Sequence, residues 1–151
     1  FRRAVEEGLL DVDHSIQVGM RGPLYGPEDI QDARDLGFQV ITMKEARQLG
    51  FDEVMKQIHQ RAGDRPVFVS YDIDFLDPAY APGTGTPEVG GPTSYEGLEF
   101  VRGLDGLNLV GFDLVEVLPS YDSGEITAVA ASSVIYEMIT LIALKKRREQ
   151  S

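Results

Sequence analysis

The 151-residue sequence contains no cysteine and only two histidines, His14 and His59. The missing cysteines exclude a disulfide framework, a zinc–thiolate site and a cysteine nucleophile, so any metal must be held by oxygen or imidazole. Basic residues are also scarce, because 14 Lys and Arg stand against 25 Asp and Glu and give a net charge of −11. This acidity argues against binding to nucleic acid or to an anionic membrane surface, and it suits a small cationic substrate.

The remaining composition is that of a folded soluble domain, with 42% hydrophobic and 26% charged residues. The length corresponds to about one domain. The sequence begins Phe1-Arg2-Arg3, with neither a methionine nor a signal-peptide pattern. We therefore expect it to be part of a longer protein.

Short apolar runs alternate with segments of helical periodicity, which predicts an α/β fold with a parallel sheet and helices on both faces. The predicted strands are 15–20, 38–43, 66–74 and 109–117. The predicted helices are 1–9, 27–36, 44–62 with a possible break at Gly50, 93–104 and 123–148. Strand 66–74 is almost continuously apolar, as expected when both sheet faces are covered. Residues 126–144 approach the length of a membrane span, but Glu137 near their middle favours a buried core helix.

An acidic pair, Asp72 and Asp74, ends the third predicted strand. Residues i and i+2 of a strand share a face, and open α/β sheets place ligands at the carboxyl ends of their strands. Two crowded carboxylates call for a cation, so a hard divalent ion, Mn²⁺ or Mg²⁺, is predicted here. The same Asp-x-Asp pattern also occurs where one carboxylate caps a turn and the other faces water. In other proteins it supplies the nucleophile of aspartyl-phosphate phosphatases, or binds a metal–nucleotide complex in sugar transferases.

Two further segments accompany this pair. A Gly-rich loop at 80–91 follows directly, and the fourth predicted strand ends in Asp113-Leu-Val-Glu116 before Pro119. Residues 70–91 read Ser-Tyr-Asp-Ile-Asp-x-x-Asp-Pro-x-x-x-Pro-Gly-Thr-Gly-Thr-Pro-x-x-Gly-Gly without a gap. Together these segments resemble the ureohydrolase family, which includes arginase and agmatinase. Phe1-Arg2-Arg3 and residues 17–22 extend the resemblance, and Gly83, where arginases usually carry alanine, makes it agmatinase-like.

The resemblance implies an arginase-like three-layer α/β/α fold with a mainly parallel sheet. It also implies hydrolysis of agmatine or a related ω-guanidino compound to urea and an amine at a two-Mn²⁺ centre. In this interpretation Asp72 bridges both metals, Asp74 is a terminal ligand, Glu116 binds the guanidinium group, and Thr84 and Thr86 shape the pocket mouth. The family further implies a cytoplasmic homo-oligomer, a trimer or hexamer, in polyamine metabolism.

Several residues near the motifs have less specific expected roles. Asp77 and Asp113 are expected either to hold loops and ligands in place or to be purely structural. His14 and His59 are expected to lie outside any metal site. Asp122 or Ser123 is expected to cap the last helix, although Tyr121 and Asp122 could also line the pocket.

The sequence departs from the family pattern in one important respect. The family's upstream histidine and its Asp-Ala-His-x-Asp motif do not occur in these 151 residues, so two of six expected metal ligands can be placed. We expect residues 1–151 to form the carboxyl-terminal portion of a single ureohydrolase domain that is inactive alone. An aspartyl-phosphate phosphatase with Asp72 as nucleophile, and a non-catalytic interaction module, remain the alternatives.

Overall fold

The computed structural model describes residues 1–23 and 25–150. The chain divides into two compact units, Phe1–Arg65 and Pro66–Ser151. Each unit contains two parallel strands and the helices that pack on them. The predicted parallel α/β organisation is therefore confirmed within each unit.

The first unit is built on a short parallel strand pair in which Ile16 lies opposite Gln39. Its elements are α1 (Arg2–Glu6), β1 (Ile16–Met20), α2 (Asp29–Asp35), β2 (Gln39–Thr42), α3 (Met43–Leu49) and α4 (Phe51–Ala62). The predicted break in the long helical segment is confirmed, because Gly50 has a φ of 81° between α3 and α4. That angle lies in the left-handed region, which glycine enters without steric cost.

The second unit carries the acidic motifs. Its elements are β3 (Val67–Asp72), α5 (Ser94–Arg102), β4 (Leu109–Val115) and α6 (Ile126–Glu149). β3 and β4 pair in parallel, with Asp72 opposite Val115. Thr93 forms a capping box with Glu96 at the start of α5, so the predicted helix start is confirmed. Short 3₁₀ turns connect these elements at Ile73–Phe75, Pro119–Tyr121 and Ser123–Glu125.

The expectation that both faces of strand 66–74 are covered is wrong for the described residues. Tyr71 is buried beneath α5, whereas Phe68, on the opposite face of β3, is 61% exposed. The same alternation appears at the end of β4, where Phe112 and Leu114 are half-buried and Asp113 and Val115 are exposed. A continuous apolar run allows a strand to be buried on both faces, but it does not determine what packs against the second face.

Helix α6 combines a buried face with an exposed apolar one. Its buried residues are Thr127, Ala131, Val134, Met138 and Leu141. Tyr136 and Ile139 are 72% and 54% exposed. Among the described residues, Ser123–Glu149 is the one stretch long and apolar enough to cross a membrane, and 28% of its most apolar window is buried. Length and composition alone do not distinguish a span from a core helix, so the core role remains a prediction.

Gly97 in α5 allows the helix to approach β3 closely, and we predict that Gly97→Ala destabilises the fold. A Cβ at this position would lie 2.4 Å from Leu76 Cδ2 and 2.9 Å from the Tyr71 hydroxyl. Overpacking of this kind costs about 1–3 kcal/mol of unfolding free energy, measurable as a lower urea midpoint. Gly26→Ala is the matched control, because its Cβ would meet nothing closer than Asp29 Oδ1 at 3.7 Å. Equal midpoints for the two variants would contradict the prediction.

Candidate functional site

The site lies at the carboxyl end of the β3–β4 pair. β3 ends at Asp72 and continues directly into the 3₁₀ turn that contains Asp74. The sequence predicted that the two carboxylates converge because they are residues i and i+2 of one strand. That reason is wrong, since Asp74 lies outside the strand. They are neighbours because the chain bends after Asp72, and the backbone N–H of Asp74 donates to Asp72 Oδ1 at 3.0 Å.

The strand register brings a third carboxylate to the same end. Val115 pairs with Asp72, so Glu116 is the first residue beyond the paired part of β4. Glu116 has a φ of 67°, in the left-handed region that non-glycine residues rarely adopt. Strained backbone of this kind costs about 1–3 kcal/mol and concentrates at functional sites. This unusual conformation terminates β4 two residues earlier than the apolar pattern predicts.

Negative charge accumulates at this edge. Burial, together with the charges of Asp74 and Glu116, raises the pKa of Asp72 to about 6, although the hydrogen bond from the Asp74 N–H opposes the shift. A raised carboxyl pKa means that the ionised form is disfavoured in its surroundings. A bound cation would favour the ionised form of Asp72 instead. The carboxylates at this edge offer oxygen atoms and negative charge, which are what a hard divalent ion binds.

The Gly-rich loop brings the two threonines to this cluster. The Thr86 hydroxyl donates to Asp74 Oδ2 at 3.1 Å. Thr84 is 1% exposed and forms an antiparallel bridge with Val117, the residue after Glu116. Within residues 1–23 and 25–150, its hydroxyl is one of two buried side-chain groups without a hydrogen-bond partner. A Cβ at Gly85 would lie 3.9 Å from Glu116 Oε2, so the loop and Glu116 adjoin.

Asp77 organises the same loop from its other end. Its carboxylate accepts from the backbone N–H of Ala79 at 3.0 Å and of Gly90 at 2.8 Å. Its own N–H donates to the Pro92 carbonyl at 2.9 Å. Asp77 thus has the loop-holding role that was one of its two expected roles. Asp113 lies within β4, opposite Ser70, where its side chain is exposed.

The capping prediction for the last helix is confirmed at Asp122. Its carboxylate accepts from the N–H groups of Thr127 and Ala128, both at 2.9 Å. Burial of Asp122 opposes ionisation, but these hydrogen bonds outweigh it and lower the pKa of the carboxyl. A Cβ at Gly83 would lie 2.4 Å from Asp122 Cβ, so glycine is required at position 83 of this chain.

One residue in this region, Thr127, was not identified as functional from the sequence. The N–H of Gly83 donates to the hydroxyl oxygen of Thr127 at 2.7 Å, and Thr127 is fully buried. The one sequence signal is the position of Thr127 in the first turn of the last helix.

His14 contacts Asp11 in the first unit, with 3.0 Å between Nδ1 and Oδ1. Among the described residues, no group of three or more His, Asp or Glu side chains is placed to hold a metal ion.

Comparison with known proteins places these motifs in context. The profile described as "Arginase family" matches residues 1–140. The chain is 48% identical over 143 residues to guanidinopropionase of Pseudomonas aeruginosa, covering 95% of this chain and 45% of the relative. It is 46% identical to mitochondrial agmatinase of Gallus gallus, covering 94% of this chain and 42% of the relative. The structure of proclavaminate amidino hydrolase from Streptomyces clavuligerus superposes with a TM-score of 0.88 at 42% identity, covering 93% and 47% of the two chains. The chain thus spans about half the length of these proteins.

Proposed function

This chain belongs to the arginase family, and on that basis we propose that it contributes to the hydrolysis of a small guanidino compound to urea and an amine. The observation that supports this proposal most directly is the meeting of Asp72, Asp74 and Glu116 beside Thr86 at one sheet edge. Relatives with 46–48% identity are named for agmatine and for guanidinopropionate. The net charge of −11 favours the approach of a cationic group.

In this proposal Asp72 and Asp74 would hold manganese, Asp72 as a ligand shared by two ions and Asp74 as a ligand of one. Both are oxygen donors whose crowding favours a bound cation. When bound, such ions would lower the pKa of a water molecule and so supply a nucleophile at neutral pH. Thr86 keeps Asp74 oriented through its 3.1 Å hydrogen bond to Oδ2.

Glu116 is proposed to bind the guanidinium group. A planar guanidinium donates parallel hydrogen bonds that match the two oxygens of a carboxylate. The left-handed conformation of Glu116 (φ 67°) turns the chain immediately after β4, next to the loop that carries Thr84 and Thr86. The two threonines would then line the pocket beside the Glu116 carboxylate, and Thr84 contributes a buried hydroxyl without a partner in the described residues.

Family membership favours this reaction over the two alternatives. An aspartyl-phosphate phosphatase would use Asp72 as nucleophile, yet the surroundings of Asp72 are anionic, which disfavours the approach of a phosphate. A non-catalytic interaction module would have no need for the strained conformation of Glu116. Incorporation of a phosphate analogue at Asp72, detected by mass spectrometry, would favour the phosphatase.

The proposal also covers the substrate class, the oligomeric state and the cellular location. Agmatine and ω-guanidino acids differ at the end remote from the guanidinium, and the relatives include proteins named for both classes. We propose a cytoplasmic homo-oligomer, a trimer or hexamer, that takes part in polyamine metabolism and binds neither nucleic acid nor membrane. Light scattering of the full natural chain that carries residues 1–151 would test the assembly.

The proposal is tested by assaying that full natural chain with Mn²⁺ against agmatine, 4-guanidinobutyrate and 3-guanidinopropionate. Urea release from at least one of them is expected, together with loss of activity after chelation and recovery with added Mn²⁺. Absence of urea from all three, with the protein folded and metal supplied, would overturn the proposed function.

We predict that residues 1–151 alone release no urea from agmatine in the presence of Mn²⁺. Two carboxylates bind a divalent ion weakly, because tight sites for such ions use more protein ligands. In the part of the chain that the structure describes, no group of three or more His, Asp or Glu side chains is placed to hold a metal ion. Urea above the level of a metal-only control would contradict this prediction.

A further inference from the structure

The loop that carries Thr84 and Thr86 is attached to the segment after Glu116 at Gly83 and Thr84. The carbonyl oxygen of Gly83 accepts from the Leu118 N–H at 2.8 Å, and its N–H donates to Thr127 Oγ1 at 2.7 Å. The next residue of the loop, Thr84, bridges to Val117. Gly83 is therefore held on one side by the strand exit and on the other by the first turn of α6.

Thr127 is the side chain that completes this attachment. Thr127 is 0% exposed and Gly83 is buried as well. Without the Thr127 oxygen, the Gly83 N–H could therefore not bind water instead. Its own N–H donates to Asp122, and Asp122 in turn lies against Gly83 so closely that a Cβ there would come within 2.8 Å of Asp122 Cα. A hydroxyl in the first turn of a helix is thereby linked to the loop by one hydrogen bond and one close packing contact.

We propose that Thr127 is a positioning residue for substrate binding, and this inference rests on the proposed function. Its hydroxyl oxygen holds Gly83, and through Gly83 it sets the distance between the loop threonines and Glu116. Its effect reaches the site because the loop runs only three residues from Gly83 to Thr86, whose hydroxyl contacts Asp74.

The test compares two substitutions at position 127 in the full natural chain that carries residues 1–151. Thr127→Val keeps the shape and removes the acceptor, whereas Thr127→Ser keeps the oxygen and removes a methyl group. Thr127→Val should raise KM for the guanidino substrate about tenfold, because a buried N–H loses its partner. The kcat should change less than about twofold, and Thr127→Ser should leave KM within about twofold of wild type, because the bond to Gly83 is retained.

Stability separates positioning from a merely structural role. Both substitutions disturb a buried site and should lower Tm, so a structural effect would move KM in both variants together. Positioning moves KM in Thr127→Val alone. Thr140→Val in the same helix is the matched control, because the Thr140 hydroxyl donates to the Tyr136 carbonyl at 2.8 Å within α6. If Thr127→Val does not fold, Thr127→Cys replaces it, since a thiol is only a weak acceptor.

Amide hydrogen exchange makes the two proposals separately testable. The Gly83 N–H should exchange faster in Thr127→Val than in wild type, whichever reaction the protein catalyses. Equal KM values for the valine and serine variants, or unchanged exchange at Gly83, would overturn the positioning role. A folded wild-type protein without amidinohydrolase activity would instead overturn the proposed function, whether or not Gly83 exchange responds.

Discussion

Replacing Asp72 with asparagine is expected to abolish urea formation by the full natural chain and to weaken Mn²⁺ binding by more than about 100-fold. Loss of outer-shell partners alone weakens metal binding by about 10–100-fold, so loss of a bridging carboxylate should exceed that range. The substitution is mild for the fold. An asparagine side chain retains an oxygen at the position of Oδ1, which accepts the Asp74 N–H at 3.0 Å. The 3₁₀ turn after β3 should therefore persist, and Tm should stay close to that of wild type.

Asp105→Asn is the matched control for this experiment. Asp105 forms an exposed pair with Arg148, and its carboxylate has no role in the proposed site. Exposed ion pairs contribute about 0–1 kcal/mol, so the control should keep its activity and its metal affinity. Calorimetric titration with Mn²⁺ measures the metal affinity of both variants. Retention of tight Mn²⁺ binding by folded Asp72→Asn would show that Asp72 is not the bridging ligand.

The elements around this site were largely predictable from local chemistry. The capping box of Thr93 and Glu96 and the glycine between α3 and α4 follow from short-range rules about helix ends. Strand β3 was predicted at 66–74 and lies at Val67–Asp72. The difference arises because Asp72 caps the following 3₁₀ turn, an interaction that competes with strand geometry. Apolar periodicity does not report such a competition.

Long-range contacts account for what the sequence could not predict. The pairing of Asp72 with Val115 depends on how β3 and β4 align, and that register brings Glu116 next to the acidic pair. The bond from Gly83 to Thr127 joins residues 44 positions apart. No local pattern encodes a contact of that separation. The exposure of Phe68 depends likewise on which elements cover each face of the sheet, not on the residues of the strand itself.

Replacing Glu116 with glutamine is expected to lower kcat/KM for the guanidino substrate by about 10²- to 10³-fold. Removing one partner of a desolvated, hydrogen-bonded charge pair costs about 2–5 kcal/mol. Glutamine offers one oxygen where a bidentate guanidinium needs two, and its NH₂ group meets another donor. Mn²⁺ affinity should change far less than in Asp72→Asn, so titration and kinetics together distinguish a substrate-binding carboxylate from a metal ligand. Glu99→Gln in α5, where the native carboxylate forms an exposed pair with Arg102, is the matched control.

The backbone at Glu116 provides an independent check of why a glutamate stands there. With φ at 67°, a non-glycine residue pays a steric cost of about 1–2 kcal/mol that glycine avoids. Glu116→Gly should therefore raise Tm or leave it unchanged while abolishing activity, whereas Glu116→Gln should leave Tm unchanged. The backbone at this position favours glycine, and the proposed binding role of the carboxylate explains why a glutamate stands there. If Glu116→Gly retained wild-type kcat/KM, the strained conformation would have no connection with guanidinium binding, and Glu116 would lose its place in the proposed site.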